Sequence, residues 1–119
     1  MGKRILVLDD DSDLLEIIEI ILKEGGYEVI AMSSGEFITE NINNFHPDLI
    51  LMDISMPVLD GVSATIQIRE LGIDTPIIAM TANAIKEDVA SYLARGMNDY
   101  VPKPVDRKVL LKAFLRWLK

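Results

Sequence analysis

The sequence predicts an α/β protein built on an open, five-stranded parallel sheet with helices on both faces, a (βα)5 arrangement. Short aliphatic runs alternate with stretches of about ten to fifteen residues whose apolar positions recur at helical spacing, which is the pattern of βαβ units. The runs are apolar throughout rather than at every second position, as is typical of parallel strands buried on both faces. The predicted strands are residues 3–8, 27–32, 49–53, 77–80 and 99–101.

Length and composition limit the class of protein. The 119 residues suit one domain over residues 1–119, which would bury about two-thirds of its unfolded surface. There is no signal-peptide pattern, no Cys, and no apolar stretch near the ~20 residues of a membrane helix, so we expect a cytoplasmic protein without membrane contact. The net charge of −7 argues against nucleic acid as a direct partner, because phosphate binding needs a basic face.

The first strand ends in three consecutive aspartates, residues 9–11, and a helix is predicted over residues 13–24. Ser12 or Asp11 can cap this helix, and acidic residues in its first turn suit the helix dipole. Its polar residues form only a narrow stripe. The helix therefore either packs deeply or lends part of its surface to a partner.

The second strand is followed by Ser33-Ser34, which we expect to open a helix that runs to about Asn44. His46, the only histidine, lies in the next turn before a proline and is interpreted as surface structure. A histidine phosphodonor would carry its His on an exposed helix face, so this position excludes that function.

The third strand, residues 49–53, is apolar until it ends in one carboxylate, Asp53. Met56-Pro57 and then Asp60-Gly61 follow it, which predicts a loop and an Asp-capped helix that runs to about Leu71. A lone Asp at the end of a buried strand is more often a turn or cap residue. Its function therefore has to be argued from its neighbours.

The last two strands also end in polar residues. The fourth strand ends in Thr81 and precedes a helix over about residues 85–95, whereas the fifth leads to residues 102–104 and a helix that starts near Asp106. We expect both helices to bury one apolar face. The residues predicted to be buried are Ile85, Val89, Tyr92 and Leu93 in the fourth helix, and Val109, Leu110, Ala113, Phe114, Trp117 and Leu118 in the fifth.

The ends of the strands predict a polar site. In an open parallel sheet, ligands bind at the carboxyl ends of the strands, where the strand order reverses. For the flavodoxin-like, doubly wound order 2-1-3-4-5, this point lies between the first and third strands, which end in Asp9-Asp10 and Asp53. Thr81 and Lys103 follow the fourth and fifth strands. Four strands would thus bring three carboxylates, a hydroxyl and an ammonium to one edge.

Such a cluster of carboxylates needs a cation or a proton. Two carboxylates about 4 Å apart repel each other by roughly 4 kcal/mol at an effective dielectric constant of about 20. Oxygen ligands without imidazole or thiolate favour Mg²⁺ or Mn²⁺ over Zn²⁺. The metal and Lys103 would spread positive charge over a phosphoryl group, and Asp53 is best placed as the nucleophile that forms an aspartyl phosphate. Asp9 and Asp10 are better placed as metal ligands.

The chain resembles the receiver domain of two-component response regulators, the CheY-like family of the bacterial chemotaxis regulator. The resemblance covers essentially all of the sequence and is specific in the order and spacing of its motifs. These motifs are Val7-Leu8-Asp9-Asp10, Met52-Asp53-Ile54-Ser55-Met56-Pro57 with Asp60-Gly61, Met80-Thr81-Ala82, and Tyr100-Val101-Pro102-Lys103-Pro104.

The resemblance implies a role for each polar residue. It implies that Asp53 is the phosphoacceptor and that Asp9 and Asp10 hold Mg²⁺, Asp10 directly and Asp9 partly through water. Asp53 and the main-chain carbonyl of Ser55 would complete the protein ligands of the metal. Lys103 would pair with the phosphoryl oxygens.

The resemblance also implies a switch. The Thr81 hydroxyl would bond to the phosphoryl group once it is present, and Tyr100 matches the aromatic switch position. A phosphate on Asp53 can favour only a state that contacts it better. Movement of Thr81 would let Tyr100 turn inward and change the face formed by the fourth helix, fifth strand and fifth helix. The family further implies a cis Lys103-Pro104 bond.

As a family member, the chain would act in a phosphorelay and would not be a turnover enzyme. It would catalyse its own phosphorylation and slow dephosphorylation, with a histidine kinase or a histidine phosphotransfer domain as donor. Two strings, residues 80–84 and 96–100, resemble receivers attached to hybrid sensor kinases. This resemblance implies a histidine phosphotransfer domain, as donor or acceptor, docked on the first helix. A downstream output domain or target protein would read the altered face, and a phosphorylation-dependent dimer is left open.

Two alternatives stay open at this point. Asp9-Asp10-Asp11 also matches the Asp-x-Asp opening of haloacid-dehalogenase-like phosphatases, which would use Asp9, but these usually need a second acidic pair where this chain has Thr81-Ala82-Asn83. The other alternative is a receiver-like module that binds partners without phosphorylation, and the intact acidic, Thr and Lys positions weigh against it. A flavodoxin would need a Ser/Thr/Gly phosphate loop where this chain is acidic.

Overall fold

The computed structural model describes residues 2–54, 61–82 and 86–118, with only the backbone described at residues 86 and 87. Predictions about Ser55, Met56-Pro57, Asp60, Asn83 and Ile85 therefore lie outside the described residues.

Five parallel strands form one sheet in the order β2-β1-β3-β4-β5, which confirms the predicted α/β fold and its doubly wound order. The observed bounds coincide with the predicted ones at six of the ten strand ends and differ by one residue at the other four. The strands are β1 Arg4–Leu8, β2 Glu28–Met32, β3 Leu49–Asp53, β4 Ile77–Thr81 and β5 Asp99–Pro102, and the helices are α1 Ser12–Glu24, α2 Ile38–Phe45, α3 Gly61–Glu70, α4 Lys86–Ala94 and α5 Arg107–Trp117.

The sheet separates two apolar clusters, because successive side chains of a strand point to opposite faces. Leu51 packs with side chains of α1 and α5 on one face, whereas Ile50 and Met52 pack with side chains of α2 and α3 on the other. Every residue of β3 and β4 is buried, as expected for apolar strands at the centre of a parallel sheet. In the part of the chain that the structure describes, no helix has the length and apolar character needed to cross a bilayer.

Helix α1 packs on one face and leaves apolar side chains exposed on another. Asp11 caps it, because its Oδ1 accepts hydrogen bonds from the N–H groups of Asp13 at 3.1 Å and Leu14 at 3.2 Å. Ile17 and Ile20 remain 54% and 56% exposed. Both alternatives from the sequence, deep packing and an available surface, therefore describe parts of the same helix.

The prediction that Ser33-Ser34 opens α2 is wrong, because α2 begins at Ile38. Ser34 Oγ instead accepts a hydrogen bond from the N–H of Glu36 at 3.2 Å, so this hydroxyl stabilises a turn rather than a helix terminus. His46 is exposed at the C-cap of α2 with φ of 52°, in agreement with its interpretation as surface structure.

Two residues that were predicted to be buried are exposed. Leu93 is 45% exposed on α4 and Val109 is 44% exposed on α5, whereas Leu110, Ala113 and Phe114 are buried as predicted. Helical spacing identifies an apolar arc, but it does not identify which part of that arc touches the sheet.

Candidate functional site

The predicted polar residues surround one cavity of about 590 Å³ at the carboxyl edge of the sheet. Asp9 and Asp10 follow β1, Asp53 ends β3, Thr81 ends β4 and Lys103 follows β5. All five residues line the cavity. They meet there because parallel strands end at the same edge and β1 lies beside β3.

Three carboxylates lie close together at this edge. Asp9, Asp10 and Asp53 each offer an oxygen, and these atoms lie within 4.8 Å of one another. Asp9 and Asp53 are buried, whereas Asp10 is exposed. Since burial weakens the screening of like charges by water, this arrangement requires positive charge nearby.

Lys103 supplies part of that charge. Its Nζ lies 3.0 Å from Asp9 Oδ2 and 3.2 Å from Asp53 Oδ1. Burial lowers the pKa of Lys103, but its hydrogen bonds and ion pairs with Asp9 and Asp53 outweigh burial, so that this pKa is raised above its ordinary value. The ammonium therefore remains charged between the two carboxylates.

The backbone fixes where Lys103 emerges. Its N–H donates a hydrogen bond to the carbonyl oxygen of Thr81 at 2.8 Å, which extends the pairing of β4 and β5 past Pro102. The Lys103-Pro104 peptide bond is cis, as the family resemblance implied.

Asp9 is oriented by the chain that follows it. Its Oδ1 accepts a hydrogen bond from the N–H of Asp11 at 2.9 Å. Its Oδ2 is buried, and among the described residues the Lys103 ammonium, 3.0 Å away, is the partner that it faces. This buried oxygen, together with the other two carboxylates and without imidazole or thiolate in the cluster, fits a hard divalent cation such as Mg²⁺ or Mn²⁺.

The two predicted switch residues occupy different environments. Thr81 is buried at the wall of the cavity. Tyr100 lies opposite Ala79 in the register of β4 and β5, is 36% exposed, and is not among the described residues that line the cavity. A signal that passes from Thr81 to Tyr100 therefore has to move from the cavity to the surface.

Gly61 brings α3 against the end of β3. A Cβ at this position would overlap the carbonyl oxygen of Asp53 and lie 2.9 Å from the Cα of Ile54. The N–H of Gly61 also donates a hydrogen bond to the carbonyl oxygen of Ile54 at 3.0 Å. Only glycine allows this close approach, which supports the backbone at Asp53.

Sequence reasoning missed two residues of the cavity wall. Asp11, interpreted as a helix cap and as part of the motif for the phosphatase alternative, lines the cavity, and its position next to Asp10 was a usable signal. Tyr92, interpreted as a packing residue, also lines it while packing against the apolar cluster on that side of the sheet. Helical spacing could not show that this residue also lines the cavity. The position of Ser55, the fourth predicted ligand, lies outside the described residues.

A second groove of about 570 Å³ lies next to the cavity, between the first half of α1 and the segment that follows β5. The two depressions share Asp11 and Lys103. The lining of the groove is mainly apolar. Its residues are Asp11, Asp13, Leu14, Ile17, Lys103, Pro104 and Val105.

Comparison with known proteins agrees with the family resemblance seen in the sequence motifs. The family model of the response regulator receiver domain matches residues 5–115. Transcription factor SKN7 of Saccharomyces cerevisiae is 38% identical over 118 residues, which cover 99% of this chain and 19% of SKN7. The chain spans about half the length or less of the curated relatives that it matches.

Solved structures share this fold. One similar structure contains a bound magnesium ion, and another is a complex with a histidine phosphotransfer protein. The receiver domain of sensor histidine kinase PA1611 from Pseudomonas aeruginosa PAO1, with a magnesium ion coordinated in its active site cleft, is 41% identical with a TM-score of 0.87 over 98% of both chains. A chain of the co-crystal structure of the Saccharomyces cerevisiae histidine phosphotransfer protein Ypd1 with the receiver domain of Ssk1 is 26% identical, with a TM-score of 0.91 over 98% of this chain and 88% of that chain.

Proposed function

The chain belongs to the response regulator receiver domain family of two-component systems, and from this premise we propose that Asp53 is its phosphoacceptor. The observation that carries the proposal is the Lys103 ammonium, which lies within ion-pair distance of both Asp9 and Asp53 beside a third carboxylate, Asp10. The family match favours this function over a haloacid-dehalogenase-like phosphatase that uses Asp9. One receiver domain over residues 1–119 and a cytoplasmic location stay predictions from the sequence.

The proposed reaction is a phosphoryl transfer. An oxygen of Asp53 bonds to phosphorus while the bond from phosphorus to the donor breaks, and the leaving atom of the donor keeps the electron pair. Lys103 Nζ, 3.2 Å from Asp53 Oδ1, is close enough to pair with the phosphoryl oxygens, and the Thr81 hydroxyl would donate to them. Because the chain carries these groups itself, it would catalyse its own phosphorylation and its slow dephosphorylation.

We propose that Asp9, Asp10 and Asp53, with the main-chain carbonyl of Ser55, hold Mg²⁺ or Mn²⁺. The spacing of the carboxylate oxygens and the magnesium-bound receiver of PA1611 support this ligand set. When bound, the cation would neutralise negative charge on the carboxylates and on the phosphoryl oxygens. Lys103 would position the phosphoryl group, and the strands that carry the aspartates would position the metal ligands and the nucleophile.

The phosphoryl donor would be a histidine kinase or a histidine phosphotransfer domain. The groove beside the cavity supports this proposal, because it shares Asp11 and Lys103 with the cavity and continues to the exposed Ile17. A donor seated there would hold its phosphohistidine next to Asp53. The complex of Ypd1 with the Ssk1 receiver shows that another chain of this fold pairs with such a protein.

The phosphorylated state would be read on the surface formed by α4, β5 and α5. Leu93, Tyr100 and Val109 are exposed on these elements and offer apolar area to an output domain, a target protein or a second copy in a phosphorylation-dependent dimer. We propose that Thr81, at the cavity, and Tyr100, at this surface, link the two sites.

The test is phosphorylation by acetyl phosphate, followed by intact-mass measurement. The wild-type chain should take up one acid-labile phosphoryl group with Mg²⁺ and none with a chelator, and Asp53→Asn should take up none. Glu40→Gln is the matched control, since Glu40 is exposed on α2 and is not among the residues that line the cavity. Uptake by Asp53→Asn would refute Asp53 as the nucleophile. Repeated turnover of a small phosphomonoester would instead support the phosphatase, and absence of uptake by the wild-type chain would support a phosphorylation-independent module.

A further inference from the structure

Arg69, at the end of α3, uses all five of its N–H donors in hydrogen bonds. None of the acceptors is a carboxylate, and four of the five bonds go to backbone carbonyl oxygens. Such complete use of the guanidinium is the mark of a fixed geometry rather than of a solvated surface charge. The bonds are Nε to Gly96 O at 3.0 Å, Nη1 to Ile73 O and Thr75 O at 2.9 Å each, and Nη2 to Gly96 O at 2.8 Å and Asn98 Oδ1 at 2.9 Å.

These bonds tie the turn between α4 and β5 to the chain that precedes β4. Gly96, with φ of 108°, lies just after α4, and Asn98 immediately precedes β5. Asn98 Oδ1 also accepts the N–H of Ile77 at 2.9 Å, and the N–H of Asn98 donates to Ile77 O at 2.8 Å. Arg69 and Asn98 thus form a clamp, called the Arg69 clamp below, at the point where the pairing of β4 and β5 begins.

Strand β5 is the edge strand, has four residues, and pairs with β4 alone. Helix α5 also holds it, because Arg116 Nη1 and Trp117 Nε1 donate hydrogen bonds to Asp99 Oδ2 at 3.0 Å and 2.9 Å. The buried Val101 belongs to the apolar cluster that includes side chains of α5.

The last residue of β5, Pro102, has no N–H to donate. At the edge that faces β4, the Arg69 clamp holds the start of the strand, and the bond from the N–H of Lys103 to Thr81 O holds its end.

We infer that Arg69 is a positioning residue for phosphoryl transfer. By fixing the turn before β5, it fixes where that strand delivers Tyr100 and Lys103, although it acts from the edge of the sheet opposite Asp53. This inference rests on the proposed function, because Lys103 matters only if Asp53 accepts phosphate. The aspartates are carried by β1 and β3, so the clamp does not place them.

Lysine cannot replace Arg69, because an ammonium has three donors and lacks the planar fork that reaches Gly96, Ile73 and Thr75 together. The turn at Gly96 also packs closely against the aliphatic part of the Arg69 side chain. A Cβ at Gly96 would lie 2.9 Å from Arg69 Cγ, so the turn and the side chain are in close contact.

The test compares Arg69→Lys with Arg95→Lys, whose arginine is exposed near the end of α4. Phosphorylation by acetyl phosphate at saturating Mg²⁺ should slow about tenfold in Arg69→Lys, since a displacement near 1 Å can cost up to ~100-fold in rate. Mg²⁺ affinity, measured by titration calorimetry, should change less than about twofold, because the carboxylates stay in place. Hydrogen exchange of residues 97–101 should become faster, and Arg95→Lys should match the wild type in all three measurements.

Three outcomes would overturn the inference. They are an unchanged phosphorylation rate in Arg69→Lys despite faster exchange of the turn, parallel losses of rate and Mg²⁺ affinity, and an equal effect of Arg95→Lys. If Arg69→Lys does not fold, Asn98→Ala removes the same Oδ1 acceptor from the clamp and is held to the same criteria. Failure of the proposed function is distinct, since the wild-type chain itself would then take up no phosphate.

Discussion

At the scale of single residues, Lys103 compensates only part of the charge at the cavity. Asp9, Asp10 and Asp53 face one ammonium, so two negative charges remain uncompensated among these four side chains. A divalent cation would balance them, whereas a second lysine at this edge would compete with the phosphoryl group for space. Partial compensation therefore suits a site that has to admit both a cation and an anion in turn.

The proposed switch role of Tyr100 can be tested with a single substitution. In Tyr100→Ala, binding of beryllofluoride with Mg²⁺ should still shift the amide resonances of Asp53 and Thr81. Tyr100 is not one of the described residues that line the cavity, so its removal leaves the binding site in place. The resonances of Val109 and Ala113 on α5 should shift less than half as far as in the wild type, since the ring that would change position is missing. The measurement is two-dimensional amide NMR.

Tyr100→Phe keeps the ring and serves as the control. If the shifts on α5 persist at full size in Tyr100→Ala, the signal does not pass through Tyr100, and another contact between the cavity and α5 has to carry it.

At the scale of elements, α1 serves the sheet with one face and the cavity with its N-terminus. Asp11 caps the helix through its side chain, and its N–H orients Asp9. The exposed Ile17 and Ile20 are not needed for the core, which takes Leu15 and Ile18 from the same helix. The element therefore connects an apolar surface to the predicted metal ligands over about two helical turns.

Ile17→Glu tests the use of this surface. It should slow transfer from a histidine-phosphorylated donor protein by at least about tenfold, or ~1.4 kcal/mol, because a charge would enter an apolar contact. Phosphorylation by acetyl phosphate should be unchanged, since Ile17 lines the groove and does not line the cavity. Single-turnover transfer measured on gels gives both rates.

Leu115→Glu is the matched control, because Leu115 is an even more exposed apolar residue on α5. Equal slowing by both substitutions would indicate a general effect of added charge, and no slowing by Ile17→Glu would remove the groove as the docking surface of the donor.

At the scale of the whole molecule, the cavity couples metal binding to folding. The three carboxylates come from two neighbouring strands that are far apart in sequence, so they lie together only in the folded chain. A cation that binds them therefore binds the folded state and not the unfolded one. Its binding must raise the free energy of unfolding by linkage.

We expect Mg²⁺ at about one hundred times its dissociation constant to stabilise the fold by ~2.7 kcal/mol, a rise in Tm of roughly 10 °C. Asp10→Asn should abolish most of this rise while changing the Tm without metal little, because Asp10 is exposed. Scanning calorimetry with Mg²⁺ and with chelator provides the measurement. An undiminished rise in Asp10→Asn would show that Mg²⁺ acts elsewhere on a chain whose net charge is −7.

The sequence predicted the bounds of β3 without error and those of most other elements to within a residue or two, because apolar runs and Gly or Asp boundaries are local signals. The sequence-based predictions were wrong where one local pattern is compatible with two structures. Ser34 could start a helix or a turn, and Leu93 and Val109 could lie on either side of an apolar arc. Contacts with the rest of the chain decide between such alternatives.

What the sequence by itself determined is which strand-end residues meet at the cavity. In a parallel sheet, the residues that end the strands must share an edge, so the order of Asp9, Asp53, Thr81 and Lys103 along the chain was sufficient to bring them together. What only the tertiary structure decided is how those residues are held. The Lys103 ammonium lies between two carboxylates that are 50 and 94 residues away in sequence, and Arg69 bonds to Asn98 across 29 residues. At such separations periodicity and spacing carry no information.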